Sequence, residues 1–230
     1  MLIKGIQKLS LLDFPGKVAC TVFTYGCNFR CPFCHNASLV LGERNDGTYI
    51  SEEEFYGFLE SRRGMLEGVC VSGGEPTLQP DLTETLRKIK AMGYAVKLDT
   101  NGYRPDVLRR VINEGLVDYV AMDIKNSPSR YGETVGIEGF DMEPIYESVA
   151  ILREGNLPYE FRTTVVAGLH TDDEMLEIGG WLTGDEKFFL QSFRDSGDLI
   201  SEGLVGYDKN DMDYLAKVLK CYIPSAETRG

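Results

Sequence analysis

The sequence predicts an α/β fold in one domain with a mainly parallel sheet, and three observations predict it. Short apolar runs rich in β-branched and aromatic residues recur along the 230 residues; segments of helical period separate them; and the notable polar residues gather where the runs end. The first predicted strand is "VACTVFTY" (18–25), which leads into a loop of cysteines. "SEEEFYGFLESRR" follows as a helix, because Ser51 and Glu54 have capping-box spacing and Phe55, Phe58 and Leu59 share a face. The second strand, "GVCVSGG" (68–74), ends in the turn "SGGEP". "DLTETLRKIKAM" places Leu82, Leu86 and Ile89 at helical spacing and stops at Gly93. The third strand, "YAVKLDT" (94–100), runs into "DTNG"; the helix "RPDVLRRVINEG" then carries Pro105 in its first turn and Gly115 after its last. "VDYVAMDI" (117–124), which ends in "DIK", "YEFRTTVV" (159–166) and "KFFLQSF" (187–193) bring the strands to six, with helices expected near 142–155, 172–182 and 208–220.

Successive βα units either open into a doubly wound sheet or curl toward a barrel, and the pattern alone leaves both open. In either arrangement the working face lies at the C-terminal strand ends, where the cysteine loop, GGEP, DTNG and DIK all fall. No repeat, low-complexity tract or Pro/Ser-rich linker divides the chain, so residues 1–230 are expected to form one domain, with about 195–230 as a cap or a docking tail. Hydrophobic residues make up 43% of the chain, enough for a substantial core. The 36 acidic and 24 basic residues leave a net charge of -12, which works against nucleic acid or an anionic membrane as partner. The first residues lack an apolar signal region and no run of about 18 apolar residues occurs, so a cytoplasmic protein is expected. Thiols are kept reduced there, and closely spaced cysteines become metal or redox groups rather than disulfides.

Cys27, Cys31 and Cys34, three of six cysteines, lie in "YGCNFRCPFCHN" (25–36). Cys20, Cys70 and Cys221 stand apart and are expected to be small buried hydrophobes. A structural zinc site normally uses four protein ligands; His35 is a fourth donor but follows Cys34 directly, and neighbours in sequence rarely reach one tetrahedral ion together. A thioredoxin-type motif needs only two cysteines. An iron-sulfur cube has four irons, and three thiolates leave one iron open to a further ligand.

The spacing C-x3-C-x2-C, with Phe33 before the last cysteine and "GGEP" after the next strand, resembles the radical S-adenosylmethionine superfamily. The resemblance implies a partial (β/α)6 barrel of parallel strands and a 4Fe-4S cluster on Cys27, Cys31 and Cys34 whose open iron is chelated by S-adenosylmethionine. An electron from the cluster then splits the sulfonium to give a 5'-deoxyadenosyl radical. It also implies that Gly73, Gly74 and Glu75 bind the methionyl amino group, and that Asp99, Asp123 and Lys125 lie around the methionyl and ribose groups. Glycines permit close backbone approach, and a carboxylate accepts charge-assisted bonds from an ammonium.

The stretch "SLLDFPGKVACTVFTYGCNFRCPFCHN" is similar to the start of glycyl radical enzyme activases, most of all those serving anaerobic ribonucleoside-triphosphate reductase. That resemblance implies hydrogen abstraction from one glycine of a large protein partner, after reduction by a flavodoxin- or ferredoxin-type electron donor. Asp13, His35 and Arg162 match residues that contact the backbone of the target loop; as ordinary residues they are a turn former, a backbone-satisfying imidazole and the partner of an acid. His170, in "AGLHTDDE", has no secure match, and Gln191 is either near adenine or an ordinary buried amide. Two other readings remain: a radical enzyme acting on a small molecule, as in modified-nucleoside biosynthesis, and a zinc-binding module with a Cys3His site.

Overall fold

The computed structural model describes residues 1–42, 49–184 and 187–229. Its eight strands are β1 (Ile3–Ser10), β2 (Ala19–Thr24), β3 (Gly68–Gly73), β4 (Ala95–Thr100), β5 (Tyr119–Asp123), β6 (Tyr159–Val165), β7 (Phe188–Ser192) and β8 (Glu227–Arg229). The helices are α1 (Ala37–Leu41), α2 (Glu52–Ser61), α3 (Leu82–Ala91), α4 (Pro105–Asn113), α5 (Tyr131–Val135), α6 (Glu143–Arg153), α7 (Asp172–Trp181) and α8 (Lys209–Lys220). The six predicted strands are β2 to β7. Strands follow one another in the order β1 to β8 in a single open sheet whose edges are β1 and β8. The β2–β3, β3–β4, β6–β7 and β7–β8 ladders are parallel.

The mainly parallel α/β fold is the one expected, and two strands that the sequence pattern did not reveal extend the sheet at its ends. β1 pairs antiparallel with β2, with irregular register around Gly5 and near Ser10. It lacks a clean alternation, since Gln7, Lys8 and Leu9 are all exposed. β8 is the tripeptide "ETR", without an apolar residue to give a period, and takes its strand form from pairing with β7. Residues 209–229 of the predicted cap or tail thus form a helix packed on α7 and a strand in the sheet.

The local signals behind the helices are visible in their ends. Ser51 and Glu54 cap α2 reciprocally, and Thr171 with Glu174 forms a second capping box at α7. Pro105 opens α4, and Gly93 and Gly115, both left-handed, follow the ends of α3 and α4.

The described chain divides into two compact units. The first holds Met1–Asn28, Ser38–Ala121 and Pro144–Pro158. Its strands contribute Val22, Val69, Val71, Val96 and Leu98 to the interior, and its helices contribute Phe55, Leu59, Leu86, Ile89 and Leu108, all nearly or fully buried. The second holds Phe29–Ala37, Met122–Glu143 and Tyr159–Gly230. Tyr131 stacks on Phe140 there, and Phe161 packs against Phe188 from the neighbouring strand. Among the described residues no helix is long and apolar enough to cross a membrane.

Candidate functional site

In the first unit the C-terminal ends of β2 and β3 are clasped together. Gly74 N–H donates to Thr24 O at 2.9 Å and Glu75 N–H to Gly26 O at 2.7 Å. A Cβ on Gly73 would stand 2.2 Å from Thr24 N, and one on Gly74 would stand 2.1 Å from Gly26 O. The two glycines thus let the GGEP turn lie directly on the base of the loop that carries Cys27.

Glu75 is buried, and its carboxylate ties two strand ends. Oε1 accepts from Thr77 N at 3.0 Å, from the Thr77 hydroxyl, and from Thr100 Oγ1 at 2.8 Å; Oε2 accepts from Asn101 N at 2.7 Å. Burial pushes its carboxyl above the usual range, while these donors pull the other way. Asn101, also buried, turns its amide toward the cysteine loop: Nδ2 donates to Asn28 Oδ1 at 2.9 Å and lies 3.8 Å from Cys27 Sγ. Asp99, at the end of β4, accepts from Ser72 Oγ at 3.0 Å and pairs with Lys97. Asp13 lies in the turn between β1 and β2, where its carboxylate accepts from the Thr21 hydroxyl and its N–H donates to Ser10 Oγ at 3.1 Å.

In the second unit Cys31 and Cys34 sit in a tight turn closed by Cys34 N–H to Cys31 O at 3.0 Å. Arg30 N–H donates to Val135 O, and the left-handed Gly136 leaves the room Arg30 needs, since a Cβ there would meet Arg30 O at 2.7 Å. Asp123 is the hub of the charged groups. Arg162 Nε donates to its Oδ1 at 2.9 Å, and Lys125 Nζ to its Oδ2 at 2.9 Å. Burial alone would raise the Asp123 carboxyl, but the Arg162 and Lys125 charges overcome it and hold it at about 2. Burial opposes the charge on Lys125; Asp123 and then the Cys31 thiol outweigh that and raise it.

His170 is fully buried and satisfied by backbone. Nδ1 accepts from Val166 N at 3.1 Å and Nε2–H faces Lys125 O at 2.8 Å, so it anchors the segment that carries Lys125. The ring also meets Phe33 edge-on at 6.0 Å. His35 packs edge-on against Phe193 at 5.4 Å, and its pKa is lowered by burial and then by Lys125, with Asp195 opposing. Gln191 stands half-buried on β7, in register with Thr164 and Arg229.

Cys27, Asp13, Gly73, Gly74, Glu75 and Asp99 thus belong to the first unit, and Cys31, Cys34, His35, Asp123, Lys125 and Arg162 to the second. Sequence reasoning passed over Lys97, Asn101 and Asn28. The "DTNG" run held the signal for Asn101, while Lys97 inside an apolar strand held the signal of a buried charge. One expectation fails outright: Cys20 and Cys70 are buried, but Cys221 is exposed, because it caps α8 just beyond its last turn.

The donor set suits an iron-sulfur cluster with a polar cofactor. No described cysteine forms a disulfide, and Thr24 Oγ1, Asn28 Nδ2 and His35 Nε2 are buried without a protein partner, which folded interiors rarely leave. Among the described residues no three His, Cys, Asp or Glu side chains converge closely enough for one ion.

The radical SAM superfamily profile matches residues 21–182. A Methanocaldococcus jannaschii protein, provisionally named a glycyl-radical enzyme activating enzyme, is 32% identical over 99% of this chain and 95% of its own. A Thermococcus kodakarensis protein, provisionally named a GTP 3',8-cyclase, is 31% identical over 67% of this chain and 49% of its own. Among solved structures, Streptococcus suis SuiB bound to its precursor peptide SuiA matches with TM-score 0.65 and 17% identity, over 89% of this chain and 47% of that one. Escherichia coli QueE matches with TM-score 0.54 and 13% identity, over 99% and 93%. The two structures show the shared fold, and with the profile and the M. jannaschii relative they place the chain: it belongs to the radical SAM superfamily.

Proposed function

We propose that this radical SAM enzyme activates a glycyl radical enzyme by removing a hydrogen atom from one glycine of a protein partner, with anaerobic ribonucleotide reductase as the first candidate. The observation that carries the reading is the full-length correspondence with the M. jannaschii relative, 99% of one chain and 95% of the other. The GTP 3',8-cyclase relative corresponds over only 49% of its length, so the rest of that chain has no counterpart in the alignment.

On this reading Cys27, Cys31 and Cys34 hold a 4Fe-4S cluster with one open iron. Gly73, Gly74, Glu75, Asp99, Asp123 and Lys125 surround S-adenosylmethionine. When bound and reduced by a flavodoxin- or ferredoxin-type donor, the two groups supply the one-electron chemistry that removes the hydrogen. The chain's own residues bind and orient. Glu75 locks the GGEP turn to the DTNG strand end, and His170 fixes the backbone of Lys125. Arg162 reaches the site through Asp123, whose carboxylate it orients. His35, with a buried Nε2 lacking a protein partner, is the imidazole suited to an extended glycine loop. No side chain need act as general acid or base.

The test is anaerobic reconstitution with iron and sulfide, reduction, and incubation with S-adenosylmethionine and an anaerobic ribonucleotide reductase. A glycyl radical doublet by electron paramagnetic resonance, with one 5'-deoxyadenosine per radical, is expected. Cys27→Ala, Cys31→Ala and Cys34→Ala are expected to bring both to background. Turnover of GTP or another metabolite, with no radical on the partner, would sink the activase reading.

A further inference from the structure

Lys97 is buried almost completely, with 2% of its side chain exposed. It lies in β4, two residues before Asp99. Side chains alternate along a strand, so Lys97 and Asp99 share one face of β4, and Cys70, in register with Lys97, brings Cys70 and Ser72 to the matching face of β3. Lys97 Nζ donates to Asp99 Oδ1 and lies 3.8 Å from Cys70 Sγ; Ser72 Oγ donates to Asp99 Oδ2 at 3.0 Å. A buried ammonium is costly unless paired, and even a paired one is a weak source of stability, so its presence in this strand asks for another reason.

The reason lies in what the pair offers a ligand. A carboxylate accepts up to about four hydrogen bonds, so Asp99 can carry these two and further donors. With the Lys97 charge against one oxygen, the pair presents fixed acceptors without net charge. Such a pair suits neutral hydroxyls better than a cation, whereas an uncompensated carboxylate would favour the cation.

We propose that Lys97 is a positioning residue that holds Asp99 as an oriented, charge-compensated acceptor for the ribose hydroxyls of S-adenosylmethionine, leaving the cationic part of that molecule to other groups. This rests on the reading of the site given under Proposed function.

The test compares binding of S-adenosylmethionine and of S-adenosylhomocysteine, which keeps the amino-acid charges but lacks the sulfonium, to the reconstituted full chain by anaerobic calorimetry. Lys97→Met is expected to weaken S-adenosylhomocysteine at least tenfold and S-adenosylmethionine at most threefold, because Asp99 without the Lys97 charge then attracts the sulfonium. Lys97→Arg is expected to restore both within about threefold. The neutral pair Lys97→Met with Asp99→Asn, which also serves if the single variant does not fold, is expected to weaken both ligands by the same factor, since no charge is left there to discriminate between them. Equal losses for the two ligands in Lys97→Met, or a double variant that still weakens S-adenosylhomocysteine more than S-adenosylmethionine, overturn the proposal. Wild-type chain that binds neither ligand overturns the cofactor reading and this proposal with it.

Discussion

At the scale of single residues, Asp123 is a half-buried carboxylate and Glu75 a fully buried one, and their neighbours send them in opposite directions. Asp123 has two cations, and its pKa falls from 3.8 to about 2. A carboxyl depressed in the folded state adds stability above its unfolded pKa and loses it as pH falls through the folded one. Wild type is therefore expected to lose on the order of 2 kcal/mol between about pH 4 and pH 2 that Asp123→Asn does not lose, read by urea unfolding at stepped pH. Glu75 has only dipoles around it, and burial wins. Its four donors, two backbone amides and two hydroxyls, suit an acceptor-only group. Glu75→Gln must turn an amide N–H toward one of them, and a destabilisation of about 1–3 kcal/mol is expected by chemical denaturation.

At the scale of elements, glycines differ in what surrounds them. A methyl on Gly74 would collide with Gly26 O, whereas a methyl on Gly57, inside α2, would meet nothing within 4 Å. Gly74→Ala is expected to cost about 3 kcal/mol by forcing β2 and β3 apart at their ends. Gly57→Ala is expected to stabilise by roughly 0.5–1 kcal/mol through helix propensity, both read from denaturation midpoints. The helix caps were readable because a capping box is local: Ser51 and Glu54 are three residues apart and need nothing else. β8 was not readable, since its three polar residues become a strand only beside β7.

At the scale of the whole molecule, charge and chain order carry most of the argument. A net charge of -12 opposes a polyanion, so retention on immobilised DNA at about 150 mM salt is expected to be nil, and a salt-sensitive complex would contradict it. The superfamily profile spans residues 21–182, which leaves β1, β7, α8 and β8 outside it. The full-length relation to the M. jannaschii protein extends over those added edges as well.

The sequence by itself determined the βα rhythm, six of the eight strands, the helix ends and the cysteine spacing, because each depends on residues within a few positions of one another. The motif positions were legible for the same reason: GGEP, DTNG and DIK stand where apolar runs stop. Only the tertiary structure decided what those residues touch. It turned Arg162 onto Asp123, buried His170 under Lys125, exposed Cys221, and set Lys97 beneath Asp99. Charge pairing and burial depend on which strands become neighbours, and Asp123 and Arg162, 39 positions apart, carry no local signal of their ion pair.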